Sequence, residues 1–187
     1  WWSPAFMVGT QVTGKTLGVV GMGRVGRIVA KRAKYGFDMN IRYSNRSQLS
    51  PELEDGAIFH ETVEDMLPHC DFLSLNCPAT PDTIDLMNAE RLALLPDGAI
   101  LVNTSRGAVV DEDALIDALN SGKLAAAGLD VYKGEPGVNP KIAELTNTFL
   151  MPHIGSSTFE TRDAMGFLAL DNLDAFFRGK EPPTRVA

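Results

Sequence analysis

The chain has 187 residues, of which 44% are hydrophobic and 22% charged, which is typical of a globular protein long enough for one sizeable core. Its formal net charge of −7 argues against nucleic acid and anionic membranes as partners, because both select basic surfaces. Two cysteines, Cys70 and Cys77, are too few for a disulfide framework or a metal-ligand cluster. We therefore expect no metal, no membrane span and a cytoplasmic location.

Short apolar segments alternate with helical patterns from the start of the chain. Lys15–Gly21 is typical of a buried strand, and Arg24–Tyr35 of a helix. The apolar stripe predicted for this helix consists of Val25, Ile28, Val29 and Ala33. Further strands are predicted at Met39–Tyr43, Asp71–Leu75, Ala99–Val102, Ala126–Val131 and Phe149–Met151.

Two later helices carry recognisable end signals. Asp111–Ser121 begins with three acidic residues, which suit a helix N-terminus, and Gly122 follows as a stop. Ser157-Thr158-Phe159-Glu160 has the spacing of a capping box and opens a last amphipathic helix to about Phe177. Continuously apolar strands alternating with helices predict an α/β fold: a Rossmann-type, doubly wound parallel sheet with helices on both faces.

A glycine-rich motif lies between the first strand and the first helix. Gly21-Met22-Gly23-Arg24-Val25-Gly26 has the pattern G-x-G-x-x-G in the strand–turn–helix context that dinucleotide binding requires. Gly21 allows the tight turn, Gly23 a close approach to a pyrophosphate, and Gly26 close packing of helix on strand. The alternative is a glycine-rich turn that binds no ligand.

The residues after the second strand bear on which dinucleotide is bound. An NAD site favours an acidic residue about 20 positions after the glycines, but Asn45 stands 19 residues after Gly26 and no acid occurs between Met39 and Pro51. Arg46 can instead bind the 2′-phosphate of NADP(H), with NAD(H) as the weaker alternative. The competing interpretation is a solvated loop arginine. Cofactor contacts are predicted for Gly21, Gly23, Arg24, Val25, Gly26, Ser44, Asn45, Arg46 and Ser47.

Three charged or titratable residues each follow a late strand: Arg106, Glu135 and His153. Because ligands bind outside the carboxyl ends of strands in an open α/β sheet, we expect the three to converge over the nicotinamide. A histidine can protonate the alkoxide left by hydride transfer, a carboxylate can orient it, and a guanidinium can hold a 2-keto acid. Each has a purely structural alternative when taken alone. Cys77 and Pro78 are expected to line the cofactor cleft, whereas His60 and His69 lack any such context.

Together these segments resemble the D-isomer-specific 2-hydroxyacid dehydrogenases. The resemblance is carried by GKTLGVVGMGRVG (14–26), ILVNTSRGAVVDEDALIDAL (100–119), AAGLDVYKGEP (126–136) and PHIGSSTFETRDAM (152–165). It implies that Arg106 binds substrate, that His153 is the acid/base and that Glu135 is its partner. It also implies that Thr104 and Gly155 lie along the cofactor, with Asp130 holding the nicotinamide carboxamide. The segment SNRS is similar to that of NADP-using glyoxylate and hydroxypyruvate reductases.

The resemblance also implies a wider organisation. Family members carry a second, mostly N-terminal domain that grips the substrate, so we expect residues 1–166 to form the dinucleotide-binding domain and 167–187 to lead back toward that second domain. The expected activity is reduction of a small 2-keto acid such as glyoxylate or hydroxypyruvate, by a homodimer in which Trp1 and Trp2 could take part. The alternatives are a dinucleotide-sensing, corepressor-like interaction protein and an enzyme acting on formate or phosphite.

Overall fold

The computed structural model describes Ser3, Phe6 and residues 8–185 of the chain. By its internal contacts the chain divides into two units, Trp1–His153 and Ile154–Ala187. The predicted division at residue 166 stays a prediction, and Trp1 and Trp2 lie outside the described residues.

A parallel sheet forms the first unit. Within the described residues it has seven strands in the order β3-β2-β1-β4-β5-β6-β7, and all neighbouring strands run parallel. The order reverses between β1 and β4, which creates the crevice where open α/β sheets bind ligands. This architecture confirms the predicted Rossmann-type fold. The strands are β1 Thr16–Val20, β2 Asn40–Ser44, β3 Ile58–His60, β4 Phe72–Leu75, β5 Ala99–Asn103, β6 Leu124–Leu129 and β7 Thr148–Leu150.

Helices connect successive strands, and a further helix follows the last strand. They are α1 Arg24–Phe37, α2 Pro51–Glu54, α3 Val63–Met66, α4 Ala89–Leu94, α5 Glu112–Asn120, α6 Pro140–Ala143 and α7 Phe159–Phe177, with 3₁₀ turns at Leu67–His69 and Gly107–Val109. Both faces of the sheet are buried, since one hydrophobic cluster contains Leu73 and Leu101 while another contains Val19 and Tyr43. The predicted strand at 126–131 lies two residues earlier, and the three-residue β3 was missed.

The buried face of α1 includes Ala33 and, in part, Val29 from the predicted stripe, but not Val25 and Ile28. Gly26, Ala30 and Ala33 are buried, whereas Val25 is 61% exposed and Ile28 54% exposed. The helix packs on the sheet through its smallest side chains, and a Cβ added to Gly26 would overlap the carbonyl oxygen of Gly21. Close packing therefore rotates the larger apolar residues toward solvent.

The second unit contains α7, which ends at Phe177 as predicted, but its cap lies one residue later than predicted and the helix is not amphipathic. The cap is Thr158, whose Oγ1 accepts a hydrogen bond from Thr161 N at 3.1 Å, rather than Ser157. No residue of α7 is buried, and its apolar side chains point around the whole helix instead of along one stripe. None of the described helices is long and apolar enough to cross a membrane.

Candidate dinucleotide and catalytic site

The turn after β1 lies at the crevice of the sheet. Gly21 has φ 91°, a left-handed conformation that favours glycine, and its N–H donates to the Ser44 carbonyl at 3.0 Å. A Cβ added to Gly21 would lie 2.8 Å from Cys77 N. The turn is thus held against the ends of β2 and β4, on either side of the point where the strand order reverses.

The N-terminus of α1 is open. Gly23 is the N-cap and is exposed, and a Cβ added there would meet no atom of the described residues within 4 Å. Among the described residues, no side-chain hydrogen bond from the N-cap position caps the first turn of α1. Uncapped amides at a helix N-terminus, with room for a phosphate beside them, fit the pyrophosphate of a dinucleotide.

A cleft of about 540 Å³ lies beside this turn. Asn76 leads into it from β4, and its Oδ1 is buried without a hydrogen-bond partner among the described residues. Burial raises the pKa of the Cys77 thiol, so this cysteine lines the cleft as an apolar wall rather than as a nucleophile. The structure therefore brings five predicted site residues together. The lining residues are Val25, Asn76, Cys77, Pro78, Ala79, Thr104, Ser105 and Arg106.

The segment after β2 is arranged as a short exposed loop. Ser44 is buried at the strand end, and Asn45 Nδ2 donates to the Ser47 carbonyl at 3.3 Å, which closes the turn. Arg46 and Ser47 are exposed, as is Arg24 at the start of α1. Neither an ion pair nor a hydrogen bond engages the Arg46 side chain within the residues that the structure describes. Its guanidinium is accordingly available to a ligand.

His153 and Glu135 form a direct pair. His153 Nδ1 lies 2.7 Å from Glu135 Oε2, and Tyr132 N donates to Glu135 Oε1 at 2.9 Å. The His153 hydrogen bond, followed by that of Tyr132, holds the pKa of Glu135 below its usual value. An ionised carboxylate only accepts hydrogen bonds, so Nδ1 is the donor and Nε2 stays available for a substrate. His153 also has φ 55°, a strained backbone conformation of the kind found at functional sites.

Arg106 is held by the loop that follows β5. Asn103, almost fully buried, accepts from Ser105 N at 3.0 Å and donates from Nδ2 to the Arg106 carbonyl at 3.0 Å. The Arg106 guanidinium lies near enough to contribute to the lowered pKa of Glu135. A Cβ added to Gly107 would overlap the carbonyl group of Tyr132, so the two loops touch through their backbones.

Tyr132 joins the ends of two strands, a role that the sequence did not reveal. Its single hydroxyl proton is shared between the Met151 carbonyl at 2.7 Å, the closer acceptor, and the Leu129 carbonyl at 3.1 Å. Burial raises the pKa of this phenol. Tyr132 thereby links the segment that carries Glu135 to the segment that carries His153. Asn103 was missed as well, although a polar residue ending an apolar strand is a usable signal, since buried polar groups need partners.

Two further predicted residues lie apart from the cleft walls. Asp130 is 3% exposed, and its N–H donates to the Asn103 carbonyl at 3.0 Å. Gly155 belongs to the second unit. Their cofactor contacts stay predictions.

Comparison with known proteins identifies the family. The family model "D-isomer specific 2-hydroxyacid dehydrogenase, NAD binding domain" matches residues 1–155. The chain is 46% identical to a glyoxylate reductase of Pyrococcus furiosus, over 99% of this chain and 55% of that protein. It is 44% identical to a glycerate dehydrogenase of Hyphomicrobium methylovorum, over 96% of this chain and 56% of that protein. The chain thus spans little more than half the length of these relatives.

Solved structures agree with this match. A glyoxylate reductase from Paecilomyes thermophila superposes with a TM-score of 0.93 at 44% identity, covering 99% of this chain and 56% of that one. An NADPH-dependent glyoxylate/hydroxypyruvate reductase from Sinorhizobium meliloti, in complex with NADP and malonate, gives 0.88 at 38% identity, covering 93% of this chain and 53% of that one. The chain belongs to the D-isomer specific 2-hydroxyacid dehydrogenases and contains the NAD(P)-binding domain of that family.

Proposed function

We propose that this chain supplies the coenzyme site and the acid–base residues of a reductase that acts on a small 2-keto acid, such as glyoxylate or hydroxypyruvate, with NADPH. The observation that carries the proposal is the 2.7 Å contact between His153 and Glu135 at the carboxyl ends of the strands, with the Arg106 charge acting on the same carboxylate. The relatives named above, which are reductases and a dehydrogenase of such acids, support it.

Each residue of the trio has one chemical role in this proposal. Bound NADPH would supply the hydride for the carbonyl carbon of the keto acid. His153 donates the proton that the carbonyl oxygen needs, and Glu135 balances the positive charge of the imidazolium before that transfer. Arg106 binds the substrate carboxylate and polarises the carbonyl.

The preference for NADPH over NADH forms a second part of the proposal. Arg46 supports it, because this exposed side chain is free of ion pairs among the described residues and no acidic residue occurs in the sequence between Met39 and Pro51. The S. meliloti relative, whose structure contains NADP, also supports it. Asn45 and Ser47 add polar groups to the same loop.

Calorimetric titration of the chain with NADPH and with NADH tests this preference. We expect Arg46→Gln to weaken NADPH binding by about ten- to a hundredfold, since a charged hydrogen bond contributes about 1.5–3 kcal/mol. NADH binding should change little, and Arg32→Gln, which removes an exposed arginine of α1, is the matched control. Equal weakening of both cofactors by Arg46→Gln would contradict the preference. Failure of the unaltered chain to bind either one would contradict the coenzyme role itself.

The reaction is tested by measuring the rate at which the complete natural polypeptide oxidises NADPH, with glyoxylate and hydroxypyruvate as substrates. We expect His153→Asn to slow reduction by about 10²–10⁴-fold, the usual contribution of a general acid. Asparagine tolerates the positive φ at this position, so the fold is retained. His69→Asn is the control, because this exposed histidine lies outside the site. A rate insensitive to His153→Asn overturns the assignment, and rapid reduction by residues 1–187 alone overturns the need for a further substrate domain.

A homodimer and a cytoplasmic location complete the proposal. The exposed apolar side chains of α1 that lie outside the cleft support a protein–protein surface, namely Ile28, Tyr35 and Phe37. Light scattering of the chain tests the dimer, and a monomer at micromolar concentration would contradict it. The relatives named above are enzymes, which leaves the dinucleotide-sensing alternative without support.

A further inference from the structure

Glu112 makes two contacts that its place in a helix does not require. It is the first residue of α5, yet its Oε1 accepts from Lys133 N at 2.9 Å and its Oε2 accepts from Asn139 Nδ2 at 3.1 Å. Both partners lie more than twenty residues further along the chain. We name this arrangement the Glu112 bracket: the Glu112 carboxylate, Lys133 N and Asn139 Nδ2.

Capping of α5 does not explain the bracket. Asp111 is the N-cap, and its Oδ1 accepts from Asp113 N at 3.1 Å and from Ala114 N at 3.2 Å. An acidic residue in a first turn also interacts favourably with the helix dipole, but Asp113 already supplies that charge. The Glu112 carboxylate is therefore directed at the loop between β6 and α6 rather than at its own helix.

The two partners of Glu112 enclose Glu135. Residues 134–138 are exposed and include Gly134 and Gly137, so few packing contacts fix this segment. Lys133 precedes it and is held a second time by an ion pair between its Nζ and Asp85 Oδ1 at 2.9 Å. Asn139 ends it and is anchored in turn because its Oδ1 accepts from Lys141 N at 3.1 Å.

We infer that Glu112 is a positioning residue of the proposed reductase: the Glu112 bracket fixes both ends of the 133–139 loop and so keeps Glu135 against His153. The inference rests on the proposed function only for its catalytic consequence. Its physical content, that a carboxylate on α5 determines the Glu135–His153 contact, is independent of turnover. Charged acceptors make stronger hydrogen bonds than neutral ones, which suits a loop with so little packing of its own.

The test compares Glu112→Ala with Asp113→Ala, because each removes one carboxylate from the first turn of α5 and only the first breaks the bracket. Nuclear magnetic resonance of the chain follows two signals: the exchange of the Lys133 amide and the pH titration of the Glu135 carboxyl carbon. We expect Glu112→Ala to speed Lys133 exchange by about ten- to a hundredfold, as loss of a charged acceptor implies. We also expect it to move the pKa of Glu135 up toward its ordinary value, since the His153 contact is the largest cause of the lowering and the Tyr132 hydrogen bond only the second.

The outcomes separate this inference from the proposed function. A Glu135 titration that is unchanged in Glu112→Ala, or moved equally by Asp113→Ala, overturns the bracket. If Glu112→Ala fails to fold, Glu112→Gln carries the same test, because it keeps the side-chain length and loses the charge and one acceptor oxygen. If Glu135 shifts as expected while the complete polypeptide reduces no keto acid, the bracket stands and the proposed function fails. If reduction is confirmed, kcat should fall in Glu112→Ala with little change in the KM for NADPH.

Discussion

Two glycines in the turn between β1 and α1 should separate cofactor binding from folding. A Cβ at Gly23 would meet nothing within 4 Å among the described residues, whereas one at Gly26 would overlap the Gly21 carbonyl oxygen and lie 3.2 Å from Val19 Cγ1. Gly23→Ala therefore adds a methyl group to open space where a pyrophosphate is expected, and Gly26→Ala adds one to a filled helix–strand contact. We expect the first to impair binding and the second to impair stability.

The magnitudes follow from these surroundings. Gly26→Ala forces α1 off the sheet, and overpacking of this kind costs about 1–3 kcal/mol. At about 2–4 °C per kcal/mol for a chain of this size, Tm should fall by roughly 2–12 °C. Gly23→Ala loses some stability because alanine is a poorer N-cap than glycine, and gains a similar amount because alanine reduces the conformational entropy of the unfolded chain. The net change in the free energy of unfolding should therefore stay within about 1 kcal/mol. Its NADPH affinity should fall at least about tenfold, which corresponds to about 1.4 kcal/mol.

Thermal denaturation and calorimetric titration with NADPH, applied to both variants, check the prediction. A Gly23→Ala variant that binds NADPH as tightly as the unaltered chain would show that the open space beside α1 does not receive the pyrophosphate. A Gly23→Ala variant destabilised as much as Gly26→Ala would refute the steric reasoning, because the two sites would then be equally packed. A thermally unaffected Gly26→Ala would refute it as well.

Three further predictions concern residues around the site and at the sheet edge. Asn103→Ala should lower the free energy of unfolding by about 1–3 kcal/mol, because it leaves buried loop groups without partners; an unchanged urea midpoint would contradict this. The free energy of unfolding should decline as pH falls below about 6.5, because unfolded His60 takes up a proton there while folded His60 resists it. Burial, then the charges of Arg42 and His69, lower the pKa of folded His60, and Asp65 opposes them more weakly. His60→Gln should flatten the dependence of stability on pH, and an equal dependence in both proteins would refute the explanation. Glu135→Gln should slow keto-acid reduction at neutral pH at least about tenfold, since the neutral amide leaves the charge of the proton donor unbalanced; an unaltered rate would contradict its role.

The main features of the sheet could be predicted because burial on both faces leaves a strong signal. Leu17–Val20 and Ala99–Val102 are continuously apolar, as expected for central strands of a parallel sheet, and both lie in strands of the structure. The glycine motif also predicted where the ligand crevice lies, since it directly follows β1, the strand at which the order reverses. The strand Ile58–His60 gave too little signal, because three residues at a sheet edge carry no periodicity.

The orientation of α1 could not be predicted from hydrophobicity. Its apolar spacing correctly indicates a helix, but the choice of buried face depends on how closely the helix approaches the sheet. Gly26, Ala30 and Ala33 permit the closest approach of the helix to the sheet. They therefore face the sheet, although Val25 and Ile28 are larger and more apolar. Apolar side chains facing solvent are common in proteins, so composition alone does not settle the rotation of a helix.

The catalytic side chains of the candidate site could be predicted from the sequence, but the contacts that hold them in place could not. Arg106, Glu135 and His153 could be selected because each follows a strand and each suits the expected chemistry. The contacts of Tyr132 and Glu112 could not, because their partners lie 19 and more residues away and are reached only after the loops have folded. A single sequence carries no signal for such pairings.

Supporting contacts join the three strand-end loops in addition to the His153–Glu135 pair. The Arg106 loop meets the Glu135 loop where Gly107 lies against Tyr132, and the Glu135 loop meets the His153 segment through the Tyr132 hydroxyl. Those contacts are buried or made by backbone groups, whereas His153 and Glu135 have side chains 51% and 32% exposed. Exposed side chains can be exchanged at little cost to the fold, while a Cβ at Gly107 would force the loops apart. Preorganisation of the site is thus a property of its scaffold, and variants of the catalytic side chains should lose less stability than variants of the residues that support them.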